Sequence, residues 1–257
     1  NVTEVPGPYI RYIILNTNAT MHPDNVKLVR QAIAAAVNRT AIAEKVFMGT
    51  VEPLYSMIPM GMWSHTDEFE TKYGDGNLTL ARALLTQAGY SETNKFAFDL
   101  WYTPTHYGDT EADVAVILKD DLEKTGMISV TLKSAEWSTY LDYLFAGTMP
   151  VLLLGWYPDY IDPDDYTSPF VALVEGDYGT GTFYYNATLN EVLREARTKL
   201  TIEERTELYE EVQRTFAEDV PHIPLFQGTL YAFSKANIKG VVLDATMLFR
   251  YYLVYKE

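Results

Sequence analysis

The sequence predicts an α/β domain built on a mixed sheet. Strand-like and helix-like segments alternate along the chain, the pattern that puts helices against a sheet rather than sheet against sheet. One segment, Val151 to Leu154, is apolar at every position, as expected of a central strand covered on both faces. The 257 residues are 47% apolar, enough to bury a substantial core. No repeat, low-complexity tract or linker divides them.

In order, Tyr9 to Leu15 reads as a strand rich in Tyr and Ile. Pro23-Asp24 opens a helix that runs through Val26 to Ile33 and on to about Met48, where Gly49 stops it. Residues 50–77 hold Pro53, Pro59, Gly61, Gly74 and Gly76 and read as a loop-rich excursion. Leu78 to Ala88 is a short helix, with Thr79 in an N-terminal role and Gly89 as its stop. Phe96 to Tyr102 is a strand, Thr110 to Thr125 a helix closed by Gly126, Ile128 to Leu132 a strand, and Trp137 to Phe145 a helix. After the Val151 to Leu154 strand comes an acidic, proline-containing loop from Tyr157 to Pro169. Leu189 to Leu200 and Ile202 to Asp219 are helices. Ile223 to Phe226, Tyr231 to Phe233, Ile238 to Leu243 and Leu248 to Tyr255 have β character.

Composition excludes several functions. A net charge of −15 argues against nucleic acid and against anionic membrane surfaces, since both need clustered Lys and Arg. With no cysteine, disulfides, thiol catalysis and Cys-ligated zinc are ruled out. No apolar run approaches the roughly 18 residues of a membrane helix. The chain starts at Asn1 without a signal peptide and reads as mature or as a piece of something longer. Asn-X-Thr occurs at Asn1, Asn18, Asn38, Asn77 and Asn186. That density suits a glycoprotein exposed outside the cell, or simply a Thr-rich chain. The 20 tyrosines suit surfaces that grip a polar ligand while partly wet, or strand positions generally.

Catalytic and metal motifs are missing. Gly74-Asp75-Gly76 lacks the context of a phosphate loop. His22, His65, His106 and His222 stand apart from any second His at ligand spacing and read as loop or core histidines. No nucleophile elbow is present. The run Asp159-Tyr160-Ile161-Asp162-Pro163-Asp164-Asp165 admits four readings: a calcium loop, which Tyr166 interrupts; a carboxylate pair for glycoside hydrolysis; a solvated acidic loop; or an amine receptor. The last draws on the position of the loop at the end of a buried strand, where α/β folds bind ligands. Trp156 and Trp137 lie beside it as aromatic walls for an ammonium group, or as core residues.

Several stretches resemble the dipeptide- and oligopeptide-binding class of ABC-transporter solute-binding proteins. They are Val29 to Arg39, with Asn38 where that class usually has Asp; Leu80 to Tyr90; Gly155 to Pro163; Tyr184-Tyr185-Asn186; Arg205 to Phe226; and Lys239-Gly240. Their order and spacing carry the match along nearly the whole chain. The resemblance implies a lobe of a periplasmic-binding-protein-like (type II) two-lobed fold. Residues 1–18 would be the crossing strand from the first lobe, 19–235 the second ligand-binding lobe, and 236–257 the return strands. It also implies a monomeric binding protein, not an enzyme and without cofactor or metal. Such a protein works at the outer face of the cytoplasmic membrane or in the periplasm, anchored through a part absent here. It closes on a peptide and docks on a membrane permease; an oligosaccharide is the alternative ligand of the same fold.

By the same resemblance Asp159 receives the ligand's α-ammonium, Trp156 and Trp137 are aromatic walls, and Tyr157 offers backbone contacts. Arginines that hold a peptide carboxylate in some members are Leu144 and Leu153 here, and a cleft tyrosine of some members falls at about Gly228.

Overall fold

A six-stranded mixed sheet runs through the computed structural model, in which residues 1–18, 27–244 and 248–257 are described. Its strands are β1 (Val2–Leu15), β2 (Glu52–Pro53), β3 (Phe96–Tyr102), β4 (Ile128–Ser134), β5 (Val151–Trp156) and β6 (His222–Phe233), in the order β2-β6-β1-β5-β3-β4. The β3, β4 and β5 strands are parallel, while β1 runs antiparallel to both β5 and β6. A separate ribbon pairs β7 (Ile238–Lys239) with β8 (Tyr255–Lys256). The helices are α1 (Lys27–Ala36), α2 (Arg39–Lys45), α3 (Glu68–Tyr73), α4 (Leu78–Gln87), α5 (Glu111–Glu123), α6 (Trp137–Phe145), α7 (Ala187–Thr198) and α8 (Ile202–Asp219).

The mixed α/β class expected from the sequence is what forms. The core lies along β1 and β5, where Ile10, Tyr12 to Leu15 and Val151 to Leu154 are all buried. Neighbours of β1 lie far away in sequence: Leu15 faces Val151 and Ile14 faces His222.

Some elements differ from the sequence reading. The helix expected to run to Met48 is interrupted at Asn38, which leaves helical geometry (φ −108°, ψ 94°) and caps α2 by accepting a hydrogen bond from the Ala41 amide at 2.7 Å. Asp75 fastens the same turn by accepting from the Arg39 and Thr40 amides. This is the structural use of Gly74-Asp75-Gly76. The start proposed at Pro23-Asp24, and His22, lie outside the described residues. Asn77, not Thr79, caps α4 by accepting from the Leu80 amide. The strands read at Ile223 to Phe226 and Tyr231 to Phe233 are one strand, because β1 extends back to Val2 and pairs with β6 as far as Phe233. Gly228 lies inside this strand, under a ring from β1, as described below. The β character at the end of the chain shrinks to the short β7–β8 pair among the described residues.

Candidate binding site at the end of the sheet

Parallel strands finish at one edge of a sheet, so whatever follows them gathers there. The loop after β3 brings His106 and Tyr107, the start of α6 after β4 brings Trp137, and the loop after β5 brings Tyr157 and Asp159. Antiparallel β1 enters at this same edge with Tyr9 and Arg11, since Ile10 pairs with Trp156 and Arg11 with Gly155.

The acidic loop after β5 is tied down. Arg205 holds Asp162 with two parallel bonds of 2.8 and 2.7 Å, the strongest geometry open to a guanidinium and a carboxylate. Asp164 accepts from Arg197 at 3.0 Å and from Tyr160 at 2.8 Å. Burial alone pushes the Asp164 carboxyl up, but hydrogen bonds from Ser168, Arg197 and Tyr160 outweigh it and hold the group below its ordinary value. Asp165, 2% exposed, accepts from the Trp156 indole at 2.9 Å and from the Asp159 amide at 3.2 Å. Burial raises its carboxyl.

These contacts bear on the readings of the acidic run. Two of its aspartates are neutralised by arginine, so the loop is neither freely solvated nor arranged as a calcium cage. Among the described residues no group of three His, Asp or Glu side chains is placed to hold a metal. Asp159 alone of the four aspartates is exposed with no side-chain hydrogen bond or ion pair among the described residues, while its own amide is anchored.

The aromatic residues take different places. Trp156 is half-buried, its edge against Phe170 at 5.1 Å between centroids and its N–H fixed by Asp165. Tyr157 is 48% exposed and stacks on Tyr9 at 5.2 Å. Trp137 is half-buried and its ring lies flat on His106, with centroids 3.5 Å apart and planes within 5°. A ligand using that face of Trp137 has to displace His106. Leu144 and Leu153 are 4% and 1% exposed in the core, which leaves them no access to a ligand. At Gly228 a Cβ would fall 1.8 Å from the Tyr9 ring, so Tyr9 occupies the space that a side chain at Gly228 would need.

Sequence reasoning missed the group under this aromatic shelf. Arg11 is 5% exposed, pairs with buried Glu111 at the start of α5, and places its guanidinium 3.4 Å from the centroid of the Tyr107 ring. Burial raises the Glu111 carboxyl, against the pull of Arg11. The available signal was one arginine in an otherwise apolar strand, Tyr9 to Leu15. A buried cation requires a buried anion somewhere.

The family model for bacterial extracellular solute-binding proteins, family 5 (middle), matches residues 1–177. Among curated relatives, a dipeptide-binding protein of Escherichia coli K12 is 28% identical over 95% of this chain and 45% of its own length. Heme-binding protein A of Haemophilus influenzae is 30% identical over 93% of this chain and 43% of its own. A dipeptide-binding protein of Pseudoalteromonas sp. SM9913, solved with Met-Leu, superposes with a TM-score of 0.83 at 25% identity, covering 100% of this chain and 50% of that one. The chain spans about half the length of the curated relatives it matches.

Proposed function

We propose, since this chain belongs to the bacterial extracellular solute-binding proteins of family 5, that it is the second lobe of a monomeric protein that captures peptides and delivers them to an ABC permease. Residues 1–18 and 236–257 cross to a first lobe, and ligand is trapped when the two lobes close. The protein works outside the cytoplasmic membrane, anchored through another part of itself, and it binds rather than transforms its ligand.

One observation carries this reading. Among the described residues Asp159 is an exposed carboxylate without a side-chain partner, at the end of a buried strand, on a loop whose other acids are occupied. A fixed, unmatched carboxylate among aromatic rings is a receptor for an ammonium group, and closure of a second lobe would dry and strengthen that contact. The names of the dipeptide-binding relatives point the same way. No feature of the site favours an oligosaccharide: the flat face of Trp137 is already stacked on His106.

Calorimetric titration of the full-length protein with di- to pentapeptides tests the proposal, with hemin and cello-oligosaccharides as competing ligands. Peptide binding is expected, weakened by N-acetylation. Asp159→Asn is expected to cost roughly 2–5 kcal/mol, as for loss of a buried charge partner. Binding of hemin or sugar alone, or unchanged peptide affinity in Asp159→Asn, would overturn it.

A further inference from the structure

The Asn-X-Thr triplets have no part in the binding site, and the fold separates them by what surrounds the asparagine Nδ2, the atom that an N-linked sugar would occupy. At Asn186, Nδ2 donates to the Tyr184 hydroxyl at 3.0 Å and to the Asp219 carboxylate at 3.4 Å. A sugar there would break the contact between the start of α7 and the end of α8. At Asn38 the nitrogen is packed against Gly76, where even a Cβ would fall 3.0 Å from it. Asn18 begins a triplet that runs beyond the described residues, and Asn1 lies in the segment proposed to cross to the first lobe.

Asn77 differs. It is exposed, and so is Thr79. Its amide uses its two ends separately: Oδ1 accepts from the Leu80 amide at 3.0 Å and caps α4, while Nδ2 makes no hydrogen bond among the described residues. An N-glycosidic bond consumes one N–H and keeps the carbonyl, so the cap survives the modification. Across the turn stands Gly74, where a Cβ would already touch the nitrogen at 4.0 Å; glycine leaves that side open. The position is also remote from the ligand loop. The turn at 75–77 is fastened to the start of α2, Asp75 accepting from the Arg39 amide and the Gly76 amide donating to the Val37 carbonyl. The far end of α2, seven residues or about 10 Å on, leads to Phe47, which lines a cavity beside Tyr157.

We infer that Asn77 is an N-glycosylation site and carries an oligosaccharide in the protein as its own cell makes it. The donor is an oligosaccharide linked to a lipid phosphate or pyrophosphate. Asn77 Nδ2 forms a bond to C1 of the first sugar and the bond from C1 to the phosphate oxygen breaks. The lipid phosphate leaves with that electron pair, and the amide gives up one proton. Thr79 supplies the hydroxyl of the acceptor triplet. Transfer precedes the folding of α4, because the triplet enters the first turn of that helix, and the folded chain then has room for the product. The site is independent of what the cleft binds.

The test is peptide mass spectrometry of the full-length protein purified from the organism that encodes it, beside the same protein made in a host without a glycosylation system. The peptide that spans Asn77 is expected to carry added mass in whole sugar units in the first preparation and none in the second. The peptides with Asn38 and Asn186 are expected at their bare masses in both. Made in the same organism, Thr79→Ala is expected to remove the added mass and Thr79→Ser to retain it, with the Asn77 cap kept in each. A bare Asn77 peptide from the native organism overturns the inference. So does added mass that persists in Thr79→Ala, or sugar found on Asn38 or Asn186 in protein that melts cooperatively.

Discussion

Three of the four aspartates that follow Trp156 hold the loop in place, and the fourth is held out to solvent by them. This division separates residues that look alike in sequence by their partners. His222 shows the same separation by burial. It is fully enclosed, with Phe216 at 4.4 Å, Phe170 at 5.6 Å and Tyr12 at 6.5 Å, and neither ring nitrogen has a partner among the described residues. Burial drives its pKa down to about 3. Between that value and the ordinary 6.5 the unfolded chain binds a proton that the folded chain refuses. Stability is therefore intact above about pH 6.5 and is lost progressively as pH falls, by on the order of 5 kcal/mol at the acid limit. Urea melts of His222→Leu against wild type from pH 7 to 4 check this: the variant should lose distinctly less. The Asp164 carboxyl, held low, adds loss in the same acid direction, so the comparison rests on the difference between the two proteins.

At the scale of elements, the helix ends are where asparagine matters. Asn38, Asn77 and Asn186 begin Asn-X-Thr triplets, and each accepts a hydrogen bond from the amide three residues on, at the start of α2, α4 and α7. The high count of triplets thus has a capping origin at three of its five positions. Asn77→Ala is expected to lower stability by about 1 kcal/mol, while Asn77→Asp retains the cap and favours the helix N-terminus. Denaturant midpoints with unchanged m-values would show it. These ends also explain what sequence could give. Phe96–Tyr102, Trp137–Phe145 and Ile202–Asp219 are readable to the residue, because turn residues or a change of period bound them. The β6 strand is misread as two because the reason for Gly228 is the Tyr9 ring, some 220 residues away in sequence. Arg11, Glu111 and Gly155 were illegible as a group for the same reason: only the sheet register brings them together.

For the whole molecule, Val2 and Phe233, paired at one end of β1 and β6, and Leu248, Tyr251, Tyr252 and Tyr255 near the end of the described chain are all more than half exposed. Large side chains exposed in this way mark a candidate interface, which the proposed first lobe would cover. The isolated 257-residue chain is therefore expected to self-associate at concentrations where the full-length protein is monomeric. Sedimentation velocity on both tests this, and a monomeric isolated chain would argue against the assignment of residues 236–257 as return strands.

The place of β1 in the sheet also sets a timetable. Its partners are β5, which ends at residue 156, and β6, which begins at residue 222. A ribosome adding 5–20 residues each second leaves the greasy segment from Ile10 to Leu15 unpaired for roughly ten seconds or more. Closing so long a loop is slow in any case. The order of synthesis thus keeps the middle of the sheet open late, with its first strand waiting longest for both of its neighbours.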